Sequence, residues 1–311
     1  MGRFVVRRLA QSALLLFTVM TASFFLIRLA PGGPEVALMA NPKATPESMQ
    51  RMRERFGLND PLPVQYAKWL RNLVVLDFGR SYAYQLPVVD VIAGRAWPTF
   101  QLGVISYAFG LLGIPLGVFA ARNRARLGDT MVRVFTVVGT AVPGWWLALS
   151  IIVLMSSLLG WFPNGQGSGG PWDWFRHIIV PAMLLGLGGV ITFSRFIRSE
   201  VLEVLGQDYV RTAHAKGLTE STINRAHVLR NALIPVVTLL GYLLPHVLSG
   251  AVITEYIFNW PGMGKLFFEA ALTRDYPVLL GMLLLGTTLT IVGTLLADIG
   301  YGLVDPRIRY G

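Results

Sequence analysis

The chain has no cysteine, only four histidines and few charges, and each shortage removes a class of protein. Without cysteine, neither a disulfide nor a thiolate metal site can form. His177, His214, His227 and His246 are scattered, with no His-x-x-x-His pair of the kind that holds zinc; Asp173, four residues before His177, is a lone carboxylate. There is no G-x-x-x-x-G-K-[ST] segment, so the chain has no P-loop to cradle nucleotide phosphates, and no nucleophile elbow appears. Charged residues make up 14% of the 311 positions, whereas a soluble domain carries roughly 25%. So few charges cannot cover a water-facing surface of this size.

What is present is apolar and comes in long runs. Hydrophobic residues form 53% of the sequence. Their runs approach the roughly 20 residues that cross a hydrocarbon core. They fall near 5–29, 97–120, 132–160, 178–197, 233–254 and 278–303. Each is expected to be a helix, because lipid offers backbone amides and carbonyls no other partner. The expectation is an all-α integral membrane protein with six spans. The stretch from Val5 to Leu29 is too long for the apolar core of a signal peptide, and no small-residue cleavage site follows it. It reads as a retained first helix.

The net charge of +10 is placed for a membrane and not for nucleic acid. Arg3, Arg7 and Arg8 precede the first run, and Arg122, Arg124, Arg126 and Arg133 surround the second loop. Arg195, Arg198, Arg211, Lys216, Arg225 and Arg230 populate the fourth loop, and Arg307 and Arg309 lie at the end. The short opposite loops hold only Arg176, Lys265 and Arg274. This bias puts both termini in the cytoplasm and the long segment 30–96 outside.

The outer segment has helix signals of its own. Thr45-Pro46-Glu47 is a start, Gly57 a stop, Asn59-Asp60-Pro61 a turn, and Pro63 opens a second helix towards Val75. Such a subdomain either caps the bundle or docks a partner. Pro115, Pro143, Pro181, Pro235 and Pro245 fall within the runs, where they serve as packing kinks or as hinges. Gly113, Gly117, Gly186, Gly188, Gly189, Gly281 and Gly286 point to close helix packing, with a backbone-lined substrate path as the alternative. The run 161–171 reads as a flexible outer loop, followed by Trp172 and Trp174 at the membrane interface. Charges at membrane depth, the mark of an ion-coupled carrier, are scarce: Arg28 and Glu255 at span ends, and Asp298 inside one.

The loop from Glu203 to Pro235 reads as helix, break, helix. Asp208 stands where a carboxylate can cap a short helix, Gly217 where a left-handed residue ends it, and Thr219 where a second helix begins. Tyr209, Thr212, Ala213 and Lys216 share one face by helical spacing, giving a small, mostly uncharged knob suited to a groove on a soluble partner. An ordinary helical hairpin is the alternative.

The segment Asp208-Tyr209-Val210-Arg211-Thr212-Ala213-His214-Ala215-Lys216-Gly217-Leu218 resembles the "EAA" loop of ATP-binding-cassette (ABC) importer permeases. The resemblance is to the first permease subunit of the dipeptide, oligopeptide and nickel group, and it covers nearly the whole chain. Pro31-Gly32-Gly33-Pro34, Gly57-Leu58-Asn59-Asp60-Pro61 with Gln65-Tyr66, and Asp77-Phe78-Gly79-Arg80-Ser81 carry it through the outer segment. His227-Val228-Leu229-Arg230-Asn231-Ala232-Leu233-Ile234-Pro235, Gly250-Ala251 with Glu255, and Trp260-Pro261-Gly262-Met263-Gly264 continue it. Arg274-Asp275-Tyr276-Pro277 and Asp305-Pro306-Arg307-Ile308-Arg309 complete it. The Glu-Ala-Ala of the general pattern is Arg211-Thr212-Ala213 here, a change usual in the peptide and nickel group. Where relatives often have Gly-Asp-Pro in the outer turn, this chain has Gly32-Gly33-Pro34, so a role for the aspartate of that motif does not carry over.

The resemblance implies a type I importer permease in a bacterial or archaeal inner membrane. Its parts would be a first helix within 1–30, an extracytoplasmic helical segment over 31–96, and a five-helix core over 97–311 with the coupling loop at 200–232. It implies a second homologous permease, two ATPase subunits that bind ATP and Mg, an extracytoplasmic binding protein, and no cofactor in this chain. Asp208, Tyr209, Arg211, Thr212, Ala213, Ala215, Lys216, Gly217 and Leu218 would engage an ATPase. Peptides are the implied cargo, with nickel chelates, glutathione and oligosaccharides as alternatives, and the residues lining the path stay unassigned. A carrier driven by an ion gradient is the competing class, expected to show intramembrane ionisable pairs and an inverted repeat. A membrane-embedded enzyme or assembly factor would need a catalytic cluster or a large soluble domain.

Overall fold

A computed structural model describes residues 2–30, 45–167, 169–233 and 251–304. Helix dominates these residues, and apart from one isolated antiparallel bridge between Arg80 and Pro87 they contain no strand. In chain order the elements are α1 (Gly2–Leu29), α2 (Pro46–Arg55), α3 (Leu62–Val74), α4 (Val88–Gly110), α5 (Gly113–Arg122), α6 (Leu127–Ala141) and α7 (Gly144–Leu159). Then come α8 (Pro171–Leu205) and α9 (Asp208–Ala215), followed by α10, a continuous stretch made of Glu220–Thr222, Ile223–Leu229 in π geometry and Arg230–Ala232. α11 (Val252–Ile257), α12 (Met263–Thr273) and α13 (Tyr276–Val304) complete the set.

Four stretches among the described residues are long and apolar enough to cross a membrane: Arg7–Leu29, Val88–Arg122, Pro171–Leu205 and Tyr276–Leu296. The pair α6 and α7 makes a fifth if it is taken as one broken span. The expected span at 233–254, with Pro235, Pro245 and His246, lies largely outside the described residues, as do Pro31 to Pro34, the closing motif from Asp305, and the side chain of Asp298.

Two helices outrun the apolar stretches that announced them. α4 begins at Val88, ahead of the apolar run, because Asp90 and Arg95 interrupt the hydropathy without interrupting the helix. α8 extends to Pro171 and Leu205 for the same reason, with Asp173 and Arg176 at one end and Glu200 and Glu203 at the other. The run 132–160 differs more deeply. It is not one helix but two, bent by 97° at Val142-Pro143. Proline disfavours helical backbone in the residue before it, and Val142 is extended at φ −84°, ψ 122°. Pro181 is absorbed inside α8, and Pro115 falls in the first turn of α5, just after the interruption at Leu111-Leu112, across which Val88–Arg122 still runs as one span; of the described prolines flagged in the sequence only Pro143 lies at a sharp bend.

The central contact runs between α8 and the α4–α5 pair, and glycine makes it possible. A Cβ on Gly117 would stand 2.5 Å from the Ser194 carbonyl oxygen, and one on Gly189 would stand 2.9 Å from the Gly110 Cα. Gly113 lies against the Val190 carbonyl and Gly186 against that of Ser106. Gly281 of α13 packs in turn on Val88 and Ile92. In lipid, where apolar surface gains nothing by leaving its solvent, such backbone approach is what holds helices together. Gly188 and Gly286 have open space instead and take no part in this packing.

The outer helices behave as the sequence expects, with α2 starting at Pro46, Gly57 at φ +62° and α3 starting at Leu62. They do not float free. Tyr66 and Trp69 of α3 pack on Phe24 and Phe25 of α1 at ring-centroid distances of 5.1 to 5.3 Å, and Thr21 and Tyr66 share a 2.9 Å hydrogen bond.

Alanine at Gly113 or Gly186 forces the α4–α5 and α8 backbones apart. We expect about 1–3 kcal/mol of destabilisation, read as a lower unfolding temperature of the purified protein in detergent. Alanine at Gly188 should leave that temperature unchanged.

Candidate coupling surface

α8 ends at Leu205, and the chain turns through Gly206 and Gln207 into α9, which sits on the end of the bundle opposite α2 and α3. Val210 and Ala213 sink into a cluster with Ala121, Ile197, Val201, Ile223, Val228 and Ala232. Burial of an apolar side chain the size of Val210 contributes roughly 1.5–3 kcal/mol. That is enough to hold a two-turn helix that would not persist alone in water.

The end of α9 is closed as glycine allows. Gly217 takes φ +75°, its amide donates to the His214 carbonyl at 2.9 Å, and the Leu218 amide donates to the Ala213 carbonyl at 3.3 Å. These are the paired bonds of a Schellman cap. Thr219 caps the next helix by accepting from the Thr222 amide at 3.4 Å.

Of the residues marked out in the sequence, Asp208, Tyr209, Arg211, Thr212, Ala215, Lys216, Gly217 and Leu218 are exposed together on this one element. Ala213 is not; it is buried and belongs to the base of the helix instead of its outer face. Asp208 does not cap either. Gln207 holds the cap position, and the Asp208 carboxylate points into solvent 3.5 Å from Arg211. The Tyr209 and Leu218 side chains, 43% and 41% exposed, stand beside the cations of Arg211 and Lys216. The outer face therefore carries Tyr209 and Leu218 together with one acid, Asp208, and two cations, Arg211 and Lys216. The exposed pairs Arg211–Asp208 and His214–Glu220, each at 3.5 Å, are screened by water and contribute little.

Beyond α9, residues Ile223–Leu229 are wound as a π-helix, a form that recurs where a helix carries function. Behind α9 lies an ion pair that the sequence reading missed. Asp129, 1% exposed, accepts from Arg198 Nε at 2.6 Å and Nη2 at 2.9 Å, and from the Ala125 amide at 3.2 Å. This bidentate pair fixes the start of α6 to α8, about two turns before α8 ends at Leu205. A signal was present, since Asp129 is the only acid between Asp90 and Asp173.

Two further carboxylates lock the opposite end. Glu255, fully buried, accepts from the Thr99 hydroxyl at 2.9 Å and the Lys265 amide at 3.0 Å, and Thr99 in turn accepts from the Met263 amide. Glu255 is thus not a free span-end charge; with Thr99 it satisfies the first amides of α12. Asp275 accepts from the Ser81 hydroxyl and from the Tyr82 and Ala83 amides, tying the turn after α3 to the start of α13. Burial raises the Tyr82 phenol above its ordinary value, and the nearby Arg28 guanidinium opposes part of that rise. Arg28 itself lies over the rings of Phe24 and Tyr276, 5.6 and 5.1 Å from their centroids. No group of acids and histidines among the described residues has the arrangement of a metal site.

Alanine at Asp129 leaves the Arg198 cation without its partner. Because Arg198 is partly open to water, the expected cost is that of losing its charge-assisted hydrogen bonds, about 1.5–3 kcal/mol, seen as loss of thermal stability in detergent. Replacing both residues by apolar ones of similar volume should recover most of it.

Comparison with known proteins fits this architecture. Residues 113–310 match the family described as "Binding-protein-dependent transport system inner membrane component", and residues 1–103 match the N-terminal part of the same kind of protein. The chain is 40% identical over its full length to the oligopeptide transport system permease protein AppB of Bacillus subtilis, which it covers completely. Over equally complete lengths it is 38% identical to the oligopeptide permease OppB of Haemophilus influenzae and 36% identical to the glutathione permease GsiC of Escherichia coli. Among solved structures the fold is similar to a chain of the MetNI methionine ABC transporter in an inward-facing conformation, with TM-score 0.55 and 17% identity over 70% of this chain and 97% of that one. With matches across almost all of its length, the chain belongs to the inner-membrane permease components of binding-protein-dependent transport systems.

Proposed function

We propose that the chain is one permease subunit of an ABC importer for peptides, and that α9 couples it to an ATPase subunit. The observation that carries the coupling assignment is the construction of α9 itself. It is a short helix with a buried base at Val210 and Ala213, a glycine-closed end and an exposed face of Tyr209, Arg211, Thr212, Lys216 and Leu218. Its base shares one cluster with α5, α8 and α10, so a push on α9 is delivered to three elements at once. When ATP closes a pair of ATPase subunits, α9 moves with the groove that holds it and biases the bundle between two states.

In this reading a second, homologous permease completes the bundle, and both termini and α9 face the cytoplasm. The segment 31–96 faces the binding protein, and residues 97–311 with the loop at 200–232 form the transport core. The chain hydrolyses no ATP, in keeping with the missing P-loop. Peptide cargo is supported by the names of relatives at 36–40% identity, one of which carries glutathione, itself a tripeptide. A buried Asp–Arg pair is also what an ion-coupled carrier would show. Here, however, it is a saturated lock at a helix end, and family membership favours the ATP-driven reading.

A valine at Gly217 cannot adopt φ +75° without strain of about 1–3 kcal/mol. In the reconstituted importer it should abolish substrate-stimulated ATP hydrolysis while the subunits still co-purify. Normal stimulation in that variant would overturn the coupling assignment. On the outer face α2 is the part to alter, since excising α3 would uncover Phe24. Reversing Arg51 and Arg55 to Glu should raise, severalfold, the binding-protein concentration giving half-maximal transport, with maximal turnover unchanged. An unchanged half-maximal concentration would mean that α2 only covers the bundle.

A further inference from the structure

The turn between α5 and α6 reads Arg122-Asn123-Arg124-Ala125-Arg126, and its charge is unbalanced. Arg122, Arg124 and Arg126 are exposed, and none of their guanidinium groups has an ion-pair or hydrogen-bond partner among the described residues. The only nearby acid, Asp129, is buried and taken up by Arg198. Arg126 stands at the cap position of α6, whose first amides receive no side-chain cap. Three free guanidinium groups and an uncapped helix start on one turn make a site for a phosphate or another compact anion.

A second observation says what the anion is attached to. From the residue after Arg126, an exposed apolar stripe runs along α6 at helical spacing: Leu127 at 74% exposure, Met131 at 63%, Val134 and Val138 each at 56%. A free phosphate or a nucleotide has nothing to lay on that stripe. A molecule whose phosphate is joined to hydrocarbon matches both parts. We propose that the α5–α6 turn binds the headgroup phosphate of an anionic phospholipid, with an acyl chain lying along Leu127, Met131, Val134 and Val138 of α6. Such a lipid would sit over the Asp129–Arg198 lock and hold the bent α6–α7 pair at the membrane surface. The proposal is independent of cargo and of the role given to α9.

The test uses the full-length chain purified with its partner subunits from phosphatidylcholine nanodiscs with and without phosphatidylglycerol. Native mass spectrometry counts the phosphatidylglycerol molecules retained. The combined Arg122→Gln, Arg124→Gln and Arg126→Gln variant should bind phosphatidylglycerol at least about tenfold more weakly. The corresponding lysine variant should stay within about threefold of the native protein. Substituting Leu127 and Met131 with Asn should weaken lipid retention, and excess inorganic phosphate should not displace the lipid. Three results would overturn the proposal: equal retention by the glutamine variant, full displacement by phosphate, or loss of a partner subunit in place of lipid. Should the triple variant fail to assemble, Arg124→Gln alone must show a partial loss, and no loss overturns the proposal equally.

Discussion

The close approach of α8 to the α4–α5 pair is the constraint on which the other contacts depend. Gly110, Gly113 and Gly117 recur along one face, and Gly186 and Gly189 answer them from α8, so the two backbones touch where side chains would otherwise keep them apart. Lipid supplies no hydrophobic drive for helices to associate, and the gain has to come from dispersion between closely packed atoms. Once α8 is fixed in this way, its two ends become rigid platforms. One carries Ile178 and Ala182 against Leu102 and the buried Trp260, and the other carries Ile197 and Val201 beneath α9.

The polar groups then follow a simple division. Along the middle of these helices packing is by glycine and aliphatic side chains; at both ends it is by saturated carboxylates. Asp129 joins α6 to α8, Glu255 joins α11 to α4 and α12, and Asp275 joins the turn after α3 to α13. Each accepts several hydrogen bonds, so each is held by geometry that a single partner would not impose. The bend at Pro143 lies between locked regions, which lets α6 stay with α8 while α7 takes another direction.

This arrangement gives the coupling assignment its physical content. A helix of eight residues transmits force only if its base is anchored, and the base of α9 is anchored by Val210 and Ala213 to α5, α8 and α10. Tyr209, Arg211, Lys216 and Leu218 are exposed above that base, and the arginines of the α5–α6 turn are exposed at the same end of the bundle.

The sequence alone determined the membrane character, because runs of apolar residues with few charges have one stable solvent. It also located the short helix before Gly217 and the outer helices between Pro46 and Val74, because caps, prolines and glycines act on their immediate neighbours. Tertiary structure decided the rest. The burial of Ala213 depends on what lies beneath α9, the role of Asp129 on an arginine 69 residues away, and the close contacts of Gly113 and Gly186 on two helices meeting. Pro143 breaks its run while Pro181 does not, although both were visible in the sequence. Local signals report what a residue does to its own backbone; which distant groups satisfy or crowd it is fixed only when the helices pack.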